Sequence, residues 1–182
     1  MQFEPTKIDG VILIKPRVFA DVRGYFVETY NQKTFENAGL KYNFVQDNQS
    51  QSYYGTIRGL HFQRGASAQA KLVRCLEGSV LDVAVDLRPG SPTYGRHISA
   101  KLTGENNCML MIPRGFAHGF AVLSASAVFA YKCDNFYDPS ADGGLIYNDP
   151  ALGIDWQIPA GEEILSEKDK RHPLLKELGR CF

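Results

Sequence analysis

The sequence predicts a single all-β domain over residues 1–182, a sandwich or barrel of short strands with a few short flanking helices. Three observations predict it. Apolar residues recur with a period of two: in residues 80–88, Leu81, Val83, Val85 and Leu87 alternate with Val80, Asp82, Ala84, Asp86 and Arg88, the pattern of a half-buried strand. Turn signals recur at short intervals, at Pro89-Gly90-Ser91-Pro92, Thr103-Gly104-Glu105-Asn106-Asn107 and Pro113-Arg114-Gly115. Finally, 182 residues with 44% hydrophobic and 22% charged content suit one sizeable core and exclude disorder, collagen-like repeats and coiled coil.

In chain order, Thr34-Phe35-Glu36-Asn37-Ala38 before Gly39 reads as a short helix with a glycine stop. Residues 71–76 form a strand that Glu77-Gly78 joins to 80–88 as a hairpin. Further strands are expected at 97–102, 108–112, 119–123 and 127–133. Ser166-Glu167-Lys168-Asp169 has the form of a capping box opening a second short helix. Cys75, Cys108, Cys133 and Cys181 show neither C-x-x-C nor zinc-ligand spacing, and the first three read as small buried hydrophobes. The 20 basic and 20 acidic residues cancel, which removes the basic face that nucleic-acid binding needs. With no signal pattern among the first fifteen residues and no apolar run fit to span a bilayer, a soluble cytoplasmic protein is expected, with a small molecule or another protein as partner.

Four segments concentrate ionisable residues among strand-like surroundings: Asp21-Val22-Arg23-Gly24-Tyr25-Phe26-Val27-Glu28; Phe44-Val45-Gln46-Asp47-Asn48-Gln49-Ser50; Arg58-Gly59-Leu60-His61-Phe62-Gln63, followed by Lys71; and Pro113-Arg114-Gly115-Phe116-Ala117-His118-Gly119-Phe120, leading to Tyr131-Lys132. On strands, His61 and Gln63 share a face, as do Lys71, Val73 and Cys75, and Phe129, Tyr131 and Cys133. A barrel interior holding His, Lys and Tyr is costly as a core unless the groups are paired or solvated, so a ligand cavity explains it better. Each residue also has an ordinary structural account. Lys71 suits a strand edge, Tyr131 an amphipathic core position, His118 a tight turn and Asp169 a capping box; His97 and His172 carry no functional context.

As an ordered set these segments, with Lys71-Leu72-Val73-Arg74, Asp82-Val83-Ala84-Val85-Asp86-Leu87-Arg88, Tyr131-Lys132-Cys133, Asn148-Asp149-Pro150 and Ile164-Leu165-Ser166-Glu167-Lys168-Asp169, resemble the dTDP-4-dehydrorhamnose 3,5-epimerase family from about residue 5 to about residue 175. The resemblance implies a cupin-like jelly roll, an isomerase of dTDP-L-rhamnose and polysaccharide biosynthesis, and a homodimer in which N-terminal strands join the partner's sheet, a role for which residues 11–14 are the candidate edge. It implies that His61 is the general base paired with Asp169, that Tyr131 returns the proton from the opposite side, and that Lys71 lies near the keto oxygen. Arg23, Glu28, Gln46, Asn48, Arg58, His118 and Lys168 match nucleotide- or sugar-contacting positions, and Tyr137 an aromatic that stacks on thymine. Asp142 stands where the family often has Glu, and Tyr147 where many members carry Trp.

The implied substrate is dTDP-4-keto-6-deoxy-D-glucose, whose C3 and C5 protons lie alpha to the C4 ketone, so their removal leaves an enolate. The base then needs one tautomer and a near-neutral pKa, the enolate a fixed positive group, and the far face an acid. Arg23, Arg58, Lys71 and Lys168 are expected to converge on that cavity, the arginines on the pyrophosphate. No metal and no other cofactor is implied. A metal cupin uses His-x-His, and His61-Phe62-Gln63 carries Gln at the second position. The competing readings are a single-centre epimerase of a related nucleotide-linked keto sugar, a metal-dependent cupin oxygenase and a non-catalytic sugar-binding module.

Overall fold

The computed structural model describes all 182 residues and forms a two-sheet antiparallel sandwich with helical structure confined to its margins. The first sheet contains β1 (Gln2–Pro5), β2 (Ile12–Lys15), β5 (Gln46–Tyr53), β7 (Lys71–Glu77), β10 (Met109–Ile112) and β12 (Ser126–Cys133), in the order β1-β2-β10-β7-β12-β5. The second contains β6 (Ile57–Gln63), β8 (Ser79–Asp86), β9 (His97–Thr103), β11 (Phe116–Val122) and β13 (Asp142–Gly144), in the order β13-β6-β11-β8-β9. A separate hairpin of β3 (Val18–Asp21) and β4 (Gly24–Val27) stands off both sheets, with Phe19, Val22, Tyr25 and Phe26 exposed.

Three apolar clusters follow from strand alternation. Val73, Cys75, Leu110 and Phe129 of the first sheet meet Val80, Ala84, Phe116 and Phe120 of the second between the sheets. On the outer face of the second sheet, Leu81, Val83, Val85 and Leu60 pack under Leu145, Leu152 and Trp156 from the C-terminal segment. Outside the first sheet, Leu72, Met109 and Met111 pack under Phe35 of α1 (Gln32–Asn37). That helix begins where Asn31 caps the Thr34 N–H, at 3.2 Å.

Three expectations change. Residues 80–88 are not half-buried: β8 is buried on both faces from Val80 to Asp86, because the C-terminal segment covers the side that alternation would leave to water. Glu77-Gly78 is not a hairpin. β7 pairs with β10 and β12, whereas β8 pairs with β9 and β11, so the chain crosses between sheets there. Gly78 makes the crossing at φ 77°, and a Cβ would strike the Ser126 carbonyl. The helix opened by Ser166 is one 3-10 turn, Asp169–Arg171. Pro173 stops it by holding His172 extended, at φ −64° and ψ 147°. Among the cysteines, Cys75, Cys133 and Cys181 are buried and Cys108 half-buried, all as free thiols.

Candidate active site

β6 and β11 run antiparallel with His61 opposite His118, which places two histidines on neighbouring strands. Each has its own carboxylate. His61 Nε2 lies 2.7 Å from Asp169 Oδ1, and His118 Nε2 lies 2.8 Å from Asp82 Oδ2. The exposures differ: the His61 side chain is 35% exposed and that of Asp169 only 5%, whereas His118 and Asp82 are both buried. A proton-transferring imidazole must reach its substrate while its orienting carboxylate stays dry, and the first pair has that asymmetry. With its Nε2–H donated to Asp169, His61 presents its lone pair on Nδ1.

Asp169 reaches His61 because the C-terminal segment is fastened across the second sheet. Ile57 N–H donates to the Ile164 carbonyl at 3.0 Å, and Ile146 N–H to the Pro173 carbonyl at 3.0 Å. Between these ties Ser166 Oγ accepts the Asp169 N–H at 3.1 Å. The serine half of the expected capping box is therefore present, but the Asp169 carboxylate does not cap; it faces His61 and the Gly59 N–H. Burial pushes the Asp169 carboxyl up, and the His61 hydrogen bond and charge, with the Gly59 and Ser166 donors, outweigh it and hold it below the usual carboxylate range.

Lys71 and Tyr131 come from the first sheet. β7 and β12 are paired with Tyr131 opposite Val73 and Cys133 opposite Lys71, so both side chains share the inner face, and Lys71 Nζ lies 5.8 Å from the Tyr131 ring centre. Burial lowers the Lys71 pKa, opposed by nearby Cys133, Asp82 and Asp142. The Tyr131 phenol is pushed up by burial and by Cys133, with Arg58 pulling the other way. A lysine with few solvating partners and a phenol that keeps its proton suit a site where negative charge develops on an oxygen.

The remaining expected residues divide. Gln46 Nε2 donates to Asn48 Oδ1 at 3.0 Å, and Gln46 Oε1 accepts the Tyr137 N–H at 3.0 Å, so these three form one rim with the Tyr137 ring exposed. Arg58 Nε donates to Ser52 Oγ at 2.9 Å. Lys168 is paired with Asp142, so Asp142 holds a lysine. Arg23 sits on the tip of the exposed hairpin, 86% exposed and paired with Asp21, and exposed Glu28 accepts from Asn31. The four expected cations therefore do not converge within one chain; Lys71 and Arg58 are the cationic groups left facing the site. Tyr147 lies in the outer apolar cluster, its carbonyl accepting from Trp156 Nε1 at 2.8 Å. His118 is on a strand, not in a turn.

Two residues of the site carried no role in the sequence reading. Asp82 had a signal, being a carboxylate amid the apolar residues of β8. His172 had none. It lies beside the first pair, its Nε2 3.6 Å from Asp169 Oδ1. His61, Asp169 and His172 present ligand atoms within 4.8 Å of one another, but His61 and Asp169 are already joined at hydrogen-bond distance. Gln63, where a cupin metal ligand would stand, is turned to the Ser67 and Phe136 carbonyls and the Asp138 N–H. The donor set of a metal cupin is not assembled.

Residues 5–177 match the family model described as dTDP-4-dehydrorhamnose 3,5-epimerase. The chain is 52% identical over 173 residues to the dTDP-4-dehydrorhamnose 3,5-epimerase of Salmonella typhimurium, covering 94% of each chain. It superposes on the crystal structure of that enzyme from Elizabethkingia anophelis with a TM-score of 0.93, at 54% identity and 97% coverage of both chains. The structure of a dTDP-6-deoxy-D-glucose-3,5-epimerase from Legionella pneumophila in complex with dTDP-4-keto-L-rhamnose gives a TM-score of 0.94 at 45% identity, covering 98% of this chain and 94% of that one. With its sandwich and the match over nearly its whole length, this chain belongs to the dTDP-4-dehydrorhamnose 3,5-epimerase family.

Proposed function

We propose that the chain converts dTDP-4-keto-6-deoxy-D-glucose to dTDP-4-keto-L-rhamnose by inverting C3 and C5, with His61 as base. The observation that carries the reading is the His61–Asp169 contact of 2.7 Å, from a partly exposed imidazole to a buried carboxylate. His61 takes the proton alpha to the ketone through Nδ1, and Asp169 stabilises the imidazolium that forms. The electrons move to the C4 oxygen, where the Lys71 ammonium faces the enolate. Tyr131 delivers a proton to the opposite face of the carbon and is reprotonated from solvent. Gln46, Asn48 and Tyr137 form the nucleoside rim, Arg58 meets the diphosphate, and the His118–Asp82 and Lys168–Asp142 pairs line the sugar end. No step calls for a metal or an organic cofactor.

The working unit is a homodimer. β2 is no candidate for the shared strand, since it lies between β1 and β10 and buries Ile14. The exposed apolar β3–β4 hairpin takes that role, and β5, which carries Gln46 and Asn48, ends the first sheet as an open edge. A partner hairpin along that edge brings Arg23 and Glu28 to the nucleotide. No helix is long and apolar enough to cross a membrane, and four free thiols fit a reducing cytoplasm.

The test is proton NMR of the product formed in deuterated water. The native chain is expected to incorporate deuterium at C3 and C5, and His61→Asn to incorporate none. Exchange at the native rate in His61→Asn removes His61 as the base, and exchange at one carbon only in the native chain reduces the reaction to a single-centre epimerisation.

A further inference from the structure

We propose that His172 is a positioning residue for proton transfer: its Nε2–H closes onto Asp169 Oδ1 as a second donor, aims the carboxylate at His61 and moderates the charge that His61 feels. This rests on the assignment of His61 and Asp169 as the base and its partner. His172 Nε2 is buried and has no hydrogen-bond partner. Asp169 Oδ1, the oxygen that His61 engages, lies 3.6 Å away, a separation just beyond hydrogen-bond length. The two imidazoles meet edge to face, centres 5.7 Å apart and planes at 72°. An imidazole lone pair aimed at a carboxylate is repelled, whereas an N–H is attracted, so the favourable tautomer carries its proton on Nε2.

The setting holds this geometry. His172 follows Asp169 by three residues on one 3-10 turn, and Pro173 behind it is tied through its carbonyl to Ile146. On β13 the ring lies against Gly144, where a Cβ would collide with it. The titratable groups around His172 are His61 from β6, Asp142 from β13, and Asp169 and Lys168 from its own segment; His118 of β11 stands beyond His61. Burial, His61 and Lys168 lower the His172 pKa against the pull of Asp169 and Asp142, so at neutral pH it is an uncharged donor. An uncharged donor shares the carboxylate's negative charge without adding a positive one. The negative charge that the His61 imidazole faces is then smaller than that of a bare carboxylate.

The test compares kcat/KM against pH, and the imidazole nitrogen NMR titration of His61, in the native chain and in His172→Phe, which keeps a ring against Gly144. Both the acid limb and the His61 titration should move to higher pH by about half a unit or more, and His172→Gln, whose amide N–H has similar reach, should move both back toward the native position. An unmoved limb and an unmoved titration in His172→Phe overturn the proposal, whatever the melting temperature does, since a packing role changes stability and leaves the pKa alone. If His172→Phe does not fold, His172→Asn, too short to reach Oδ1, is compared with His172→Gln by the same two readings. His61→Asn is run alongside: loss of exchange there with no shift in the His172 variants overturns this inference alone, whereas native exchange in His61→Asn overturns the base assignment beneath it.

Discussion

The proposed inversion needs two groups on opposite faces of one carbon, and the two candidates stand on different sheets: His61 on β6 and Tyr131 on β12. Burial keeps the Tyr131 phenol protonated well beyond neutral pH, so it is ready to donate, while the His61 imidazole is partly exposed. Removing the hydroxyl leaves abstraction in place and takes away delivery. Tyr131→Phe is therefore expected to keep solvent exchange at the carbon while net inversion falls about 10²- to 10⁴-fold, the usual contribution of a positioned acid. KM should stay within a few-fold, because the rim of Gln46, Asn48 and Tyr137 is untouched. Deuterium incorporation and product stereochemistry in one NMR experiment check this; full inversion by the variant takes Tyr131 out of the reaction. At this scale residue type and strand parity already single out His61, Lys71 and Tyr131 as ionisable candidates on strands. The sequence did not show His172, because His172 stands three residues from Asp169 but gains meaning only when that turn meets His61, and the Asp169–His61 contact spans 108 positions and leaves no trace in local spacing.

One 3-10 turn fixes the carboxylate of the pair, and Ser166 holds that turn through the Asp169 N–H at 3.1 Å. Ser166→Ala leaves this N–H without its side-chain acceptor, a loss of about 1 kcal/mol for a capping hydroxyl. Because the turn carries Asp169, the expected result is a lower melting temperature together with a several-fold fall in kcat at nearly constant KM. Calorimetry and steady-state rates check it, and a stability loss with kcat unchanged would separate the turn from the chemistry. The elements themselves were largely legible: the strands expected at 97–102, 108–112 and 127–133 correspond to β9, β10 and β12, since a period of two with turn residues between is a local signal. Pairing is not local. Glu77-Gly78 has the composition of a hairpin turn, yet which sheet the next strand joins is decided by Gly78 at φ 77° against Ser126 and by the apolar partners that β8 finds in β11. The C-terminal helix stops after one 3-10 turn for a nearer reason. Pro173 sits one turn beyond the cap and forces His172 out of the helical region.

Across the whole molecule the net charge is zero, and several of the cations are taken up by carboxylates of the same chain. Lys168 is tied to Asp142, Arg114 to Asp134, Lys132 to Asp47 and Arg88 to Asp86. In the proposed reading Lys71 faces the C4 oxygen, which leaves Arg58 alone for the diphosphate, and the hairpin holds a further cation in Arg23 on a stalk whose Phe19, Tyr25 and Phe26 are exposed in the single chain. If the hairpin completes the partner's site, defects in Arg23 and His61 complement each other in trans. Arg23→Ala and His61→Asn homodimers should each lose at least about tenfold in kcat/KM, with an exposed ion pair too weak for the Arg23 loss to come from stability. After the two chains are mixed, dissociated and reassociated, random pairing puts both an intact His61 and an intact partner Arg23 at one site in half of the dimers, so activity should recover to about a quarter of the native level. Were Arg23 to serve its own chain, every site in the mixture would carry one defect and no recovery would follow. Size-exclusion chromatography of Phe26→Asp supplies the independent check: a charge placed in the apolar face of the hairpin should shift the protein toward monomer and raise KM with it, since the same surface that joins the chains then also brings the cation.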